Sequence, residues 1–283
     1  MEASTPPPEL SSGPSTTVRG SGIARLGEQI RDRKLVGVVL WPSIAIFATL
    51  AIWQWLSKSG AVSEIVLPAP TDVFTALGNL VQTSLFWQNT WVTTQETLIG
   101  FAFGVSSAWL LGTQIGLFRT FRLTFYPIIV GLEIVPRIAL APVFLTWFGF
   151  GISSKIAMAA AICFFPVLIN VVLGTRGTDE NAQRLMRSFG ASRWEQYKKL
   201  TLPSSLPAFF AGIRIAIVFA LTGAIVAEYV GGNEGLGVQI KVDNFQLLIP
   251  NVFAIIIALA VLGLILYWIA AALESKIVFW RGH

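Results

Sequence analysis

The sequence is poor in cysteine and histidine, and this scarcity excludes several kinds of site. Its one cysteine, Cys163, stands inside an apolar run, which excludes an internal disulfide and a cluster of cysteine metal ligands. Its one histidine, His283, is the last residue, so histidine metal centres and histidine-based catalytic triads are not expected. The Gly-Lys-Ser/Thr ending of a phosphate-binding loop is also missing. We therefore expect no catalytic residue, no metal and no cofactor in this chain.

Charged residues are scarce as well. They make up 12% of the chain, whereas 54% of the residues are hydrophobic and the mean hydropathy is +0.69. A soluble domain has about 25% charged residues, so this composition predicts an all-α integral membrane protein. The net charge of +5 does not indicate nucleic-acid binding, because most basic residues stand beside apolar runs.

Six apolar runs are long enough to cross a bilayer as helices. We predict spans at 35–56, 92–116, 123–148, 152–174, 206–230 and 250–273. The first has no cleavage site of the signal-peptide type, so we expect it to be retained. Pro127, Pro136 and Pro142 predict that the third span is kinked or broken. The chain then divides into a disordered, basic tail at 1–34 and a transmembrane domain at 35–283.

Basic residues predict the orientation of these spans. Fifteen of them fall on the side of the N-terminus and three on the other side, namely Lys58, Lys155 and Lys241. Cytoplasmic loops carry the excess of Lys and Arg, so both termini should lie in the cytoplasm of a bacterial cell whose plasma membrane holds the protein.

The longest charged stretch between spans, residues 176–205, is the principal candidate for a functional element, and we call it the capped segment. Thr178 is predicted to cap a first helix, and Gly190 suits the left-handed position that ends it. Ser192 and Glu195 form a capping box for a second short helix, which Pro203 is expected to stop. Two caps and an aromatic face are typical of a rigid docking element. Its candidate residues are Arg184, Arg187, Phe189, Gly190, Ser192, Arg193, Trp194, Glu195, Tyr197 and Pro203.

Ionisable residues inside apolar spans are costly and are therefore candidates for a solute path. Glu133 and Arg137 are four residues apart and can pair, either along a path or as a purely structural pair. Arg214 lies close enough to the capped segment to extend its charge to the membrane surface. Glu228 precedes a glycine-rich run at 231–237, which we expect to form an outer turn rather than a phosphate loop. With Asn170, the path candidates are Glu133, Arg137 and Glu228.

The capped segment also resembles the coupling motif of ABC-importer permeases. In that motif a glycine is followed by nine residues and then by a Leu-Pro ending, as in Gly190 and Leu200-Thr-Leu-Pro203. Arg184-Leu-Met186 stands where the family has Glu-Ala-Ala. Further stretches are similar to permeases of the nitrate, sulfonate and taurine type: Leu67-Pro-Ala-Pro70, Pro136-Arg-Ile-Ala-Leu-Ala-Pro142, Trp147-Phe-Gly-Phe-Gly151, Phe164-Phe-Pro166, Gly212-Ile-Arg214 and Gly235-Leu-Gly237.

This resemblance implies a type I importer fold and a permease without enzymatic activity. It implies a permease homodimer in the lipid membrane, two cytoplasmic ATPase subunits that bind the ATP, and an extracytoplasmic solute-binding protein. It also implies that the capped segment is the coupling helix. The solute would resemble nitrate, a sulfonate or taurine, or else a pyrimidine or vitamin precursor.

Two other kinds of protein have to be weighed against this interpretation. A secondary transporter driven by an ion gradient could use Glu133, Arg137 and Glu228, but the sequence lacks the internal repeats common in such folds. An intramembrane enzyme would need a cluster of carboxylates or an internal histidine, and neither is present.

Overall fold

The computed structural model describes residues 40–280, and its regular elements are helices. The predicted tail at 1–34 and the first residues of the predicted domain lie outside the described residues. The chain divides into two units after Ser59. The described part of the first unit is one apolar helix of 19 residues, α1 (Leu40–Lys58), which corresponds to the first predicted span.

The second unit begins at Gly60 and contains the other spans. Its helices are α2 (Pro70–Leu80), α3 (Ser84–Leu117), α4 (Arg119–Ile134), α5 (Ala141–Phe148), α6 (Ile152–Arg176), α7 (Glu180–Ser188), α8 (Arg193–Gln196), α9 (Leu202–Gly231), α10 (Leu236–Phe245) and α11 (Ile249–Ile277). Within residues 40–280, five helices are long and apolar enough to cross a membrane, or six when the bent pair α4–α5 is counted as one span. Each predicted span corresponds to one of these five helices or to the bent pair.

The core lies along α6, which packs against α3 on one side and α9 on the other. Ala159 is fully buried between two glycines of these neighbours. A Cβ added to Gly100 of α3 would lie 2.5 Å from the Ala159 Cβ, and one added to Gly223 of α9 would lie 2.8 Å from the Ala159 Cα. Small residues let membrane helices approach closely, and dispersion contacts then replace the hydrophobic effect that lipid cannot supply. Gly100 and Gly223 therefore serve helix packing.

The third span is broken, as its prolines predict. Pro136 has no backbone N–H, and the residue before it, Val135, takes an extended conformation. A short 3₁₀ turn at Arg137–Leu140 follows, and the two halves of the span are bent by 88°. Pro127 lies within α4 without ending it. The break therefore comes from Pro136, and it places Arg137 at the bend.

The stretch from Leu67 to Val73 predicts the start of an amphipathic helix with Thr71 as its cap. The helix is present as α2, which packs against α11, but Thr71 is not its cap. The helix begins one residue earlier, at Pro70, whose fixed φ suits the first helical position, and Ala69 precedes it without a side-chain cap.

We predict that Gly104→Ala destabilises the bundle. The new Cβ would lie 2.7 Å from the Ala160 carbonyl oxygen on α6, so the two helices must separate. Such overpacking costs about 1–3 kcal/mol and should lower the midpoint of thermal unfolding in detergent. The matched control is Gly78→Ala on α2, where a Cβ meets nothing within 4 Å and alanine favours the helix. Equal midpoints for the two variants would contradict the packing described here.

Candidate functional site

The first helix of the capped segment, α7, begins with an acidic cap. The Asp179 side chain accepts a hydrogen bond from the Asn181 backbone N–H at 3.0 Å, and Glu180 lies in the first turn. Thr178 is not the cap that the sequence suggested. It is buried, and its hydroxyl donates instead to the Thr175 carbonyl at the end of α6, at 3.1 Å. The cap therefore lies one residue later, where an aspartate also complements the helix dipole.

Gly190 ends α7 as predicted. Its φ of +77° lies in the left-handed region, which glycine adopts without a steric penalty. The Gly190 N–H donates to the Arg187 carbonyl and the Ala191 N–H to the Met186 carbonyl, both at 3.0 Å. These two bonds form a Schellman motif, which satisfies the last carbonyls of the helix.

The capping box of the second short helix is also confirmed. The Glu195 N–H donates to the Ser192 hydroxyl oxygen at 3.3 Å, and the Ser192 N–H donates to the Glu195 carboxylate at 2.9 Å. Pro203, however, does not stop this helix. α8 passes into a π-helical turn, Tyr197–Thr201, and then into α9, whose first turn contains Pro203. Pro203 follows the π-helical turn directly, and the absence of its N–H does not end the helix. The capped segment is thus continuous with a membrane span.

The exposed face of the capped segment is both aromatic and basic. Phe189 is 81% exposed and Trp194 is 67% exposed, and the Trp194 and Tyr197 rings lie 5.6 Å apart. Arg187 and Arg193 are also exposed. Arg184 is exposed too and pairs with Glu180 at 3.5 Å, a contact that is worth little in water. The rigid backbone therefore presents large side chains that nothing in the described part of the chain covers.

The four path candidates fall into separate places. Arg137, at the break in the third span, approaches Glu133 at 3.9 Å, and its guanidinium lies 4.6 Å from the centre of the Phe165 ring. Asn170 donates to the Pro166 carbonyl of its own helix at 2.8 Å. Glu228 belongs to another cluster. The structure therefore brings Glu133 and Arg137 together, with Phe165 as a neighbour that the sequence did not indicate.

Glu228 joins α3, α9 and α10 at the end of α9 opposite the capped segment. We call the cluster of Glu228, Thr93 and Asn89 with the N–H groups of residues 235–237 the carboxylate clamp. The Glu228 side chain is fully buried. It accepts hydrogen bonds from the Thr93 hydroxyl at 2.7 Å and from the Gly237 N–H at 2.6 Å. Thr93 in turn accepts from the Leu236 N–H at 2.9 Å, and Asn89 accepts from the Gly235 N–H at 3.0 Å. The glycine-rich run is therefore a turn fixed by side chains of two spans, as the absence of phosphate-loop features predicted.

Two more charged residues of the spans have protein partners that differ from expectation. Lys155 was counted with the basic residues on the side opposite the N-terminus, but it is buried, and its amine donates to the carbonyls of Phe150, Gly151 and Gly231. Arg214 does not simply extend to the surface, because it pairs with Glu274 of α11 at 3.0 Å. Thr93 and Asn89 were missed because their hydrogen-bond partners, more than 130 residues away in the sequence, leave no local pattern.

The clamp and the capped segment lie at opposite ends of α9. This helix is 30 residues long and therefore about 45 Å from end to end, enough to cross a membrane with its headgroups. Each end is fixed by its own set of hydrogen bonds. This arrangement is suited to transmit a displacement from one end of a span to the other.

Comparison with known proteins gives one family. The family model described as "Binding-protein-dependent transport system inner membrane component" matches residues 100–279. The chain is 32% identical over 246 residues to the riboflavin transport system permease protein RibX of Chloroflexus aurantiacus, covering 86% of this chain and 92% of that one. It is 33% identical over 245 residues to the putative aliphatic sulfonates transport permease protein SsuC of Bacillus subtilis, covering 86% and 87%.

A third relative is the formylaminopyrimidine transport permease protein ThiX of Halalkalibacterium halodurans, 32% identical over 242 residues, or 86% of this chain and 96% of that one. Among solved structures, a chain of a bacterial ABC transporter involved in the import of the acidic polysaccharide alginate superposes with a TM-score of 0.57. That match has 16% identity and covers 89% of this chain and 99% of the other. It supports the fold.

We predict that Glu228→Ala loosens the turn before α10. The Gly237 N–H and the Thr93 hydroxyl would lose their acceptor, and each unpaired buried group costs about 1–3 kcal/mol. Hydrogen–deuterium exchange of residues 232–240 should rise sharply. The matched control is Glu234→Ala, because Glu234 is an exposed acid on the same run. Unchanged exchange in the Glu228 variant would show that the clamp does not hold the turn.

Proposed function

Because the chain belongs to the family of binding-protein-dependent transport system inner membrane components, and is the permease subunit of an ABC importer, we propose that its capped segment couples transport to a separate ATPase. The protein is a multi-pass inner-membrane protein that works with an ATPase and a solute-binding protein. Family membership gives no support to the alternative of an ion-driven secondary transporter. The proposal names the residues that contact the ATPase, the orientation of the chain in the membrane and the residues that contact the solute.

The observation that carries the coupling proposal is the exposed aromatic and basic face of the capped segment. Phe189 and Trp194 are large side chains left in solvent by a backbone that is fixed on both sides, by the Schellman motif and by the capping box. Aromatic anchors surrounded by arginines are typical of the residues that dominate protein interfaces. The exposed arginines, Arg184 among them, would guide the approach of an acidic groove on the partner. The Arg184-Leu-Met186 sequence supplies basic charge where the family motif has an acid.

Continuity between the capped segment and α9 provides the mechanical part of the proposal. α8 leads through the π-helical turn into α9 without a loop. A partner that closes on ATP would move the capped segment as a rigid body, and α9 would carry that displacement across the membrane. The carboxylate clamp would then move the far turn with it. This is a rigid-body route between inward and outward states.

The proposed orientation places the capped segment in the cytoplasm together with both termini. The excess of basic residues on that side supports it. The clamp then lies at the extracytoplasmic end, where a solute-binding protein would deliver its ligand.

We also propose a permease homodimer carrying two ATPase copies. Of the sixteen residues of α4, only Ile129 is buried, and apolar side chains such as Ile128 and Ile134 are 54% and 79% exposed. This face suits contact with a second copy across a central path, with the lipid covering the outer spans.

The path itself would pass the bend of the third span. Arg137 lies at this bend. Its ion pair with Glu133 is long, at 3.9 Å, and its guanidinium lies over the Phe165 ring. A cation beside an aromatic ring suits small anionic solutes such as sulfonates, and the ring alone suits flat pyrimidine- or vitamin-like solutes. Both classes occur in the names of the relatives. Asn170 and Glu228 would act at the edges of the path, Glu228 chiefly by holding the clamp.

We predict that Phe189→Ala with Trp194→Ala abolishes co-purification of the ATPase. Both rings are exposed, so the permease itself should fold normally and insert in the membrane. Truncation of aromatic anchors at an interface costs about 2 kcal/mol or more each, which would reduce affinity more than tenfold. The assay is recovery of the ATPase with a tagged permease in mild detergent.

The control for this assay is Phe245→Ala, because Phe245 is 80% exposed but lies on α10. Full recovery of the ATPase with the double variant would remove the capped segment from the coupling interface while leaving the family assignment untouched.

A second prediction concerns the path. Arg137→Gln should lower uptake of an anionic solute by about tenfold, the order expected for loss of one charge-assisted contact. ATPase co-purification should stay normal, which separates a path defect from a coupling defect. Glu133→Gln would lower uptake less if Arg137 makes the solute contact. Unchanged uptake in both variants would make the pair structural. The uptake assay uses vesicles that contain the complete importer.

A further inference from the structure

A cavity of about 950 Å³ lies between the capped segment and the neighbouring ends of α3 and α6. Four arginines line it, and each comes from a different element: Arg122 of α4, Arg176 of α6, Arg187 of α7 and Arg193 of α8. The coupling proposal uses two of these arginines and leaves Arg122 and Arg176 without a role. A volume of this size is typical of a small-molecule site and exceeds what a single inorganic ion fills.

The charge of the cavity is not balanced by the protein. Its lining contains one acidic residue, Glu180, and this carboxylate already pairs with Arg184, which does not line the cavity. Within residues 40–280, none of the four lining arginines makes an ion pair. Four arginines around one cavity give it a positive potential, so an anion bound among them would be stabilised electrostatically.

The donors around the cavity fit a phosphate group. Guanidinium groups bind phosphate oxygens through paired hydrogen bonds, and several can share one phosphate because its oxygens accept from different directions.

One side of the cavity is apolar. Leu110, Leu117 and Phe118 belong to its lining and are 63%, 41% and 41% exposed, and Trp109 lies beside them. With the proposed orientation, this side faces the inner leaflet at the level of the headgroups, where tryptophan is common and anionic lipids attract basic residues.

We propose that this cavity is a binding site for a phosphate-bearing anion at the cytoplasmic face of the permease. Two sources share this chemistry: the headgroup of an anionic phospholipid and a soluble phosphate ester. Because the site contacts α7 and α8, its occupancy would also fix the position of the capped segment. The binding site does not depend on the coupling proposal, so it is tested without the ATPase.

The test measures binding to the full-length permease, stripped of lipid in a neutral detergent, by titration calorimetry. The probes are dihexanoyl phosphatidylglycerol and glycerol phosphate, with dihexanoyl phosphatidylcholine as the neutral comparison. The variant is Arg122→Gln with Arg176→Gln. The matched control is Arg119→Gln with Lys276→Gln, which removes the same charge from the same ends of the spans but from residues outside the cavity lining.

We expect the Arg122 and Arg176 double variant to bind phosphatidylglycerol at least about tenfold more weakly, and the control to bind almost as well as the parent. Binding of phosphatidylglycerol alone identifies the lipid as the source, and equal binding of glycerol phosphate identifies a soluble ester. A parent chain that binds neither probe, or that prefers neither to phosphatidylcholine, overturns the proposal. So does equal weakening in the two double variants, because it would reflect overall charge.

A further variant, Arg122→Lys with Arg176→Lys, keeps the charge but loses the paired hydrogen bonds, and we expect intermediate affinity. This lysine variant keeps the test decisive if the glutamine variant does not fold. If the lysine variant folds and binds like the parent, the arginine geometry is irrelevant and the proposed site is wrong. The failure of this proposal is separate from that of coupling, because binding is measured without the ATPase and on variants that leave Phe189 and Trp194 unchanged.

Discussion

The close approach of α6 to α3 and α9 is the contact on which the rest of the molecule depends. In lipid, apolar side chains gain little by leaving one apolar environment for another, so helices must associate through shape. Gly100 and Gly223 leave space on both sides of Ala159, and the three helices meet there almost backbone to backbone. With this core fixed, the two ends of α9 are held at defined places. One end carries the capped segment, and the other carries the carboxylate clamp.

The distribution of polar groups follows from the same constraint. Buried charges in the core region are costly, and here they are used to fasten backbone that cannot be helical. Glu228 accepts the Gly237 N–H at the start of α10, and Lys155 donates to carbonyls where the chain turns into α6. Arg214 and Glu274 pair between α9 and α11. Arg137 differs from these residues, since its ion pair is long and it lies at a proline break. The buried charges with short hydrogen bonds or ion pairs support the fold, whereas Arg137 keeps more of its hydrogen-bonding capacity for the proposed contact with a solute.

Local sequence patterns predicted local structure well and long-range contacts poorly. The spans, the break at Pro136, the left-handed Gly190 and the Ser192–Glu195 capping box follow from hydropathy and from short-range hydrogen bonds, and all are present. Thr178 was wrong as a cap because Asp179, one residue later, takes that position, and Thr71 was wrong because α2 begins at Pro70 without a side-chain cap. Pro203 was wrong as a stop signal because the chain passes through a π-helical turn directly into α9 there. The clamp could not be predicted, since Thr93 and Glu228 are brought together only by the packing of α3 and α9.

The π-helical turn at Tyr197–Thr201 has a consequence for the direction in which the docking face points. A π turn contains one residue more than an α-helical turn would need, and each residue of an α-helix advances the chain by about 100° around its axis. The length of this junction therefore sets the azimuth of Trp194 and Phe189 around α9. Loss of a single residue there would leave both helices intact and turn the aromatic face by about a quarter of a revolution around α9. Under the proposed coupling, importers whose junctions differ by one residue should therefore not exchange ATPases, even where the contact residues are the same.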